Sequence, residues 1–185
     1  MGEILSQLKE QTRELHEQTE QLFYTDALKG GTLTTDQYKH LLQAHLAFHK
    51  ALEVALSTID NYPLEERRKA AWIEADLTAI QASPKTAPST VFEGWNTSEL
   101  LGAAYVAEGS MLGGQVIKRW LQAHPELGTY AVESKFYNGY GKNTGERWKS
   151  FGTYLITNAA GHEPAIVEGA KKAFKAYQAI FKAVA

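Results

Sequence analysis

Residues Asn96 to Ala123 read NTSELLGAAYVAEGSMLGGQVIKRWLQA. Asn96 followed three residues later by Glu99 is a capping-box signature, and Pro125 stands just beyond the far end, so the stretch is bounded as a helix. Its interior nevertheless carries Gly102, Gly109, Gly113 and Gly114. Each interior glycine costs roughly 0.5–1 kcal/mol relative to alanine, which implies a kink or a close contact. At about 100° per residue, Gly102, Gly109 and Gly113 fall within about 40° of one another. They predict a groove almost free of side chains, flanked by Tyr105, Val106 and Val116. Either a flat ligand or a neighbouring helix packed through small residues can fill such a groove.

Working outward, the upstream chain is helical in pattern. Ile4, Leu8, Leu15 and Leu22 recur at gaps of four and seven over Gly2–Tyr24, ahead of a Gly30-Gly31 stop. Thr34-Thr35-Asp36 offers an N-cap to a second helix reaching about Ile59, and Leu64–Ala82 is rich in good helix formers. Ser83–Ser89, with Pro84 and Pro88, reads as a surface loop. Downstream, Phe136–Gly145 reads as a structured loop, followed by helices over about Glu146–Ala160 and Ala165–Val184. Period-two alternation is absent, so the pattern predicts an all-α protein of about six helices around one core.

The 185 residues suit a single domain spanning 1–185. A composition of 44% hydrophobic and 22% charged residues is that of a soluble globular chain. The formal net charge of −2 provides no overall attraction to nucleic acid or to an anionic membrane, so neither is expected as a partner. The absence of cysteine removes disulfides, thiolate metal sites and cysteine nucleophiles, leaving His, Asp, Glu or a cofactor to bind any metal. Met1–Arg13 is charged and periodic rather than apolar like a signal peptide, and the longest apolar run, Leu100–Ala107, is too short to span a bilayer. The expected location is the cytoplasm.

On the first helix, Lys9, Arg13, His16 and Glu20 lie within a stripe of about 60°, apart from the apolar face. Two readings of this stripe are open. One is a solvated charged face. The other is a metal-binding His16 oriented by Glu20 one turn on, directly or through water, with Lys9 and Arg13 holding an anionic ligand.

The segments Leu8-Lys9-Glu10-Gln11-Thr12-Arg13-Glu14-Leu15-His16 and Tyr105–Ile117 resemble the two signature segments of biliverdin-producing haem oxygenases, the bacterial branch most of all. The resemblance runs through Trp148-Lys149-Ser150-Phe151 to the last helix, and the glycine motif is its most specific part. It implies a haem oxygenase-like bundle with haem b, both substrate and cofactor, held between the two signature helices. His16 then matches the proximal iron ligand and Glu20 its partner. Gly109, Gly113 and the adjoining Gly114 match the distal helix over the haem, and Lys9, Arg13 and Lys149 match cations near the propionates. The resemblance further implies that O2 and electrons from an external ferredoxin or reductase convert haem to biliverdin, ferrous iron and carbon monoxide. The chain carries no flavin or nicotinamide fingerprint of its own.

Two positions depart from the family pattern. Ser110 stands where an aspartate often anchors distal water, and its uncharged hydroxyl changes how water is held near the catalytic Gly109 and Gly113. Thr153 stands where some relatives have an arginine facing the propionates, leaving Lys149 and Arg147 for that role.

The alternative is a haem carrier or sensor that binds through His16 without turnover. A di-iron protein on a related fold would need two Glu-x-x-His pairs, and none of the six histidines has Glu or Asp three residues before it. A thiaminase-like hydrolase would need a cysteine nucleophile. His45 and His49 therefore read as structural or surface residues, and Tyr105, Tyr137, Tyr140, Trp148 and Phe151 as core aromatics that could also line a pocket.

Overall fold

The computed structural model describes residues 3–88 and 90–185. Gly2, at the expected start of the first helix, and Ser89, at the end of the expected loop, lie outside the described residues. Every regular element among the described residues is helical, as the missing period-two pattern requires.

Helix α1 spans Glu3–Leu22 and buries Ile4, Leu5 and Leu8 on the predicted face. Thr12 and Thr19 continue that face, each donating its hydroxyl to the carbonyl one turn back, at 2.7 Å in both cases. The short α2, Thr25–Gly30, stops where Gly31 takes φ 65°, a left-handed cap suited to glycine. Helix α3, Thr35–Leu56, opens with a complete capping box between Thr34 and Gln37. It is three residues shorter than its apolar stripe, because Ile59 packs on the core from the turn that follows. Leu64–Ala82 is not one helix: a single 3-10 turn over Leu64–Glu66 precedes α4, Ala70–Ala79. The break between them places Arg67 and Lys69 in the interior.

Helix α5 runs unbroken over Thr97–Gln122 behind its Asn96/Glu99 capping box, so the glycines do not interrupt it. Two short helices that the sequence pattern does not show, α6 (Gly128–Glu133) and α7 (Lys135–Asn138), follow it. Asp76 of α4 holds this region in place. Its carboxylate accepts from the Ser134 hydroxyl at 2.6 Å and from the Lys135 and Phe136 amides at 2.7 and 3.0 Å. Helix α8 covers Thr144–Ala159, and α9, with Pro164 in its first turn, covers Glu163–Ala183.

The centre of the bundle is the crossing of α5 and α9. A Cβ on Gly102 would lie 2.2 Å from the Ile166 carbonyl oxygen, and one on Gly169 would lie 2.4 Å from the Glu99 Cα. Two glycines thus let the backbones touch, which corrects the grouping of Gly102 with an open groove. Helix α9 also packs on α1 and α3, while α8 packs on both α1 and α5. Against α1, Gly152 leaves just enough room for the Leu5 side chain, 3.0 Å from where a Cβ would stand. Helices α1 and α5 therefore share α8 and α9 as supports without packing closely on each other.

The α3–α9 interface is aromatic. Phe48 stacks on Tyr177 with centroids 3.8 Å apart, and His45 Nδ1 lies 2.5 Å from the Tyr177 hydroxyl. His45 and His49 are thus core residues, not surface ones. Burial lowers the pKa of His45 to about 3 and that of His49 well below the usual imidazole value, so both stay neutral.

Candidate active site

Two ties join the first two helices to α5. At one end Tyr105 of α5 faces Thr12 of α1; burial raises the Tyr105 pKa, and a hydrogen bond with Thr12 opposes the shift. At the other end Lys29 of α2 lies over the Trp120 ring of α5, 5.6 Å from its centroid. In chain order His16 falls between Thr12 and Lys29, and Gly109 to Gly113 fall between Tyr105 and Trp120.

On α1, Gln178 of α9 fixes the rotation of the helix by donating to Thr19 Oγ1 at 2.9 Å and to the Leu15 carbonyl at 3.4 Å. That rotation leaves His16 at the rim of the packed face with 54% of its side chain exposed. Phe174 of α9 supports the imidazole edge-on, with centroids 5.9 Å apart. Its Nε2 is 3.6 Å from Glu20 Oε1, too long for a direct hydrogen bond and suited to a bridging water. A ring with one nitrogen directed to a carboxylate keeps the other for a ligand.

On α5, Leu100 to Glu108 is buried around nearly the whole circumference. From Gly109 onward one flank opens. A Cβ on Gly109 or Gly113 would meet nothing within 4 Å, so bare backbone faces the space. Leu112 and Val116 share this flank and are 40% and 39% exposed, an apolar surface that water covers poorly. Gly114 turns the other way: it is buried, and its missing side chain would point at the Tyr137 ring, 3.9 Å off. The structure thus leaves Gly109 and Gly113 facing open space and places Gly114 against the core. Ser110 is partly buried and donates its hydroxyl to the Ala107 carbonyl at 2.6 Å, leaving its oxygen as an acceptor.

Lys9 and Arg13 on α1 and Lys149 on α8 are exposed and make no ion pair among the described residues. Arg147, the other cation considered on α8, is engaged elsewhere: it pairs with Glu66 and lies over the Tyr140 ring, 5.8 Å from its centroid. Trp148 is half-buried and continues the aromatic wall from Tyr105, centroids 5.8 Å apart, while Tyr137 and Phe151 are wholly core.

One feature was not anticipated from the sequence. Behind Gly109, Glu108 is buried and its carboxylate is clasped by Arg67 at 2.7 Å and Lys69 at 2.5 Å. A glutamate inside an otherwise apolar helix segment was the available signal.

The all-α bundle thus carries a half-exposed imidazole on α1, open glycine backbone on α5 and, among the described residues, unpaired cations on α1 and α8. The family described as Heme oxygenase matches residues 3–183, and the chain belongs to that family, whose members are haem-degrading oxidoreductases. No curated protein matches the sequence. Solved structures similar in fold include the NO- and CO-bound haem oxygenase from Neisseria meningitidis, at TM-score 0.77 and 19% identity over 98% of this chain and 91% of that one. The haem oxygenase from Leptospira interrogans matches at TM-score 0.79 and 17% identity over 98% of this chain and 100% of that one. Haem oxygenase-1 from the cyanobacterium Synechocystis sp. PCC6803, solved in complex with haem, matches at 0.74 and 19% over 98% and 92%.

Proposed function

We propose that this chain, acting as a single domain in the cytoplasm, is a haem oxygenase that takes haem b into the cleft between α1 and α5. With O2 and electrons from an external ferredoxin or reductase it opens the ring to biliverdin, ferrous iron and carbon monoxide. What supports this reading is a half-exposed imidazole, His16, on α1 and the open backbone of Gly109 and Gly113 on α5, two helices that share α8 and α9 as supports without packing closely on each other. When bound, haem supplies the iron at which oxygen is activated.

The residues present fit that substrate. His16 would hold the iron through the nitrogen not directed at Glu20, and Glu20 would orient the ring through a bridging water. Gly109 and Gly113 would let the macrocycle approach the α5 backbone, because no side chain stands at either position. Leu112 and Val116 lose their exposure to water against the apolar macrocycle. Lys9, Arg13 and Lys149 are free to meet the propionates. Ser110, its proton committed to Ala107, accepts a hydrogen bond from a distal water rather than donating one.

The committed Ser110 proton also favours a second reading, a haem carrier or sensor without turnover. One equivalent of haemin added to the protein, then reductant under air with catalase, separates the two. A Soret band that decays as biliverdin appears is the expected result. A stable Soret band assigns a carrier or sensor, and the absence of any Soret band overturns the haem site itself.

A further inference from the structure

The Glu108 carboxylate is buried at 2% exposure, on the side of α5 away from the cleft, and it is fully occupied. Arg67 Nη1 donates to one oxygen at 2.7 Å and Lys69 Nζ to the other at 2.5 Å. The Tyr140 hydroxyl reaches both oxygens at 3.1 Å. Each cation is tied further. Lys69 Nζ donates to the Arg67 carbonyl at 2.8 Å and lies 3.2 Å from the Tyr140 hydroxyl. Arg67 reaches α8 through Ser150 Oγ at 3.4 Å and lies over the Phe151 ring, 5.4 Å from its centroid. The segment bearing both cations is anchored to α3, because Glu53 Oε1 accepts from the Lys69 and Ala70 amides at 2.6 and 2.9 Å.

One carboxylate therefore joins α5, the α3–α4 connection, the Tyr140 loop and α8. It sits one residue before Gly109, where α5 passes from being buried all round to being open on one flank. On that flank the glycines offer no side chains to key the helix, and a Cβ on Gly109 or Gly113 would meet nothing within 4 Å. The rotation of α5 is then set by contacts on its packed side. A buried ion cluster is suited to this, because its stabilisation depends on geometry more than apolar packing does.

We propose that Glu108 is a positioning residue: clasped by Arg67, Lys69 and Tyr140, it sets the rotation of α5 and thereby which backbone face Gly109 and Gly113 present to the substrate. The same cluster holds α8, which carries Lys149, in register with α5. The proposal rests on the haem oxygenase reading for its consequence in catalysis, but its structural claim can be tested without haem.

The test compares wild type with Glu108→Gln and with an apolar replacement of the whole cluster, R67M/K69M/E108L. Amide hydrogen exchange is measured in the ligand-free protein, with Leu100–Ala104 of the same helix as internal control. In the apolar variant, protection of Gly109–Gly114 is expected to fall by about tenfold or more while Leu100–Ala104 is unchanged. With haem, the Soret band persists but the biliverdin isomers become a mixture. Equal loss in both segments, or none in either together with an unchanged isomer distribution, reduces the cluster to general stability and overturns the proposal. Should the triple variant not fold, Tyr140→Phe removes one of three donors and is expected to lower the same protection selectively; uniform behaviour there overturns the proposal equally. Failure of wild type to bind haem would overturn the haem oxygenase reading alone, because the exchange measurement needs no ligand.

Discussion

A methyl group on Gly102 would sit 2.2 Å from the Ile166 carbonyl oxygen, whereas one on Gly109 would meet nothing within 4 Å. The two glycines lie on one helix and nearly one face, yet alanine should act on them with opposite sign. Gly102→Ala must push α9 away and is expected to cost about 2 kcal/mol or more. Gly109→Ala gains helix propensity without a clash and is expected to stabilise the ligand-free protein by about 0.5–1 kcal/mol. The same methyl stands in the cleft, so haem affinity and turnover should fall. Urea melts of both variants, with a haem titration of Gly109→Ala, check this; a Gly109→Ala variant of wild-type affinity would remove that glycine from the site. His16→Ala gives the companion result on the other wall. Its half-exposed ring contributes little packing, so stability should change by less than about 0.5 kcal/mol. The Soret spectrum should lose its histidine-ligated form and biliverdin formation should drop by about 100-fold or more, as for loss of a metal ligand rather than a distant contact.

At the scale of elements, α1, α3, α5, α8 and α9 were legible because each carries a complete local signature: a periodic apolar face, a capping box, or a bounding glycine or proline. The exposed stripe of Lys9, Arg13, His16 and Glu20 was legible for the same reason, since these residues share a flank whatever the helix packs against. What was not legible depends on partners distant in sequence. A helical wheel gives angles but not neighbours, so it grouped Gly102 with Gly109 and Gly113, although α9 occupies one and open space the others. Helices α6 and α7 have no pattern of their own; Asp76, some sixty residues earlier, organises them. Asp76→Ala would leave the Ser134 hydroxyl and two amides without their acceptor, at a cost of about 2–4 kcal/mol. Its mark should be local as well as global: hydrogen exchange at Lys135–Asn138 should rise more than at α9. Glu108 was hidden in the same way, because its partners Arg67, Lys69 and Tyr140 come from two other stretches of chain.

For the whole molecule, the neutral histidines in the α3–α9 core link stability to pH. His45 has a pKa of about 3 in the folded protein against an ordinary 6.5, lowered first by burial and then by His40. His49 is held well below the ordinary value by burial, Lys69 and His45. Below 6.5 the unfolded chain binds protons that the folded chain refuses, so stability falls as pH falls. For His45 the contribution is complete above about 6.5 and is lost toward about 3, at up to about 1.4 kcal/mol per pH unit. Both histidines act in the same direction, so acid unfolding should begin above the carboxylate range. His45→Gln keeps an amide near Tyr177 and Tyr137 but cannot titrate. Urea-derived unfolding free energies at pH 7.5 and 4.5 should therefore differ less in this variant than in wild type, by about 1.4 kcal/mol for each pH unit below 6.5. A variant with the wild-type slope would show that His45 takes up its proton without opening the core. His16 lies on α1, and Gly109 and Gly113 on the open flank of α5, outside the α3–α9 interface that holds these imidazoles. Haem binding at pH values where the core still holds should thus keep its wild-type affinity in His45→Gln, which separates the acid response of the fold from that of the site.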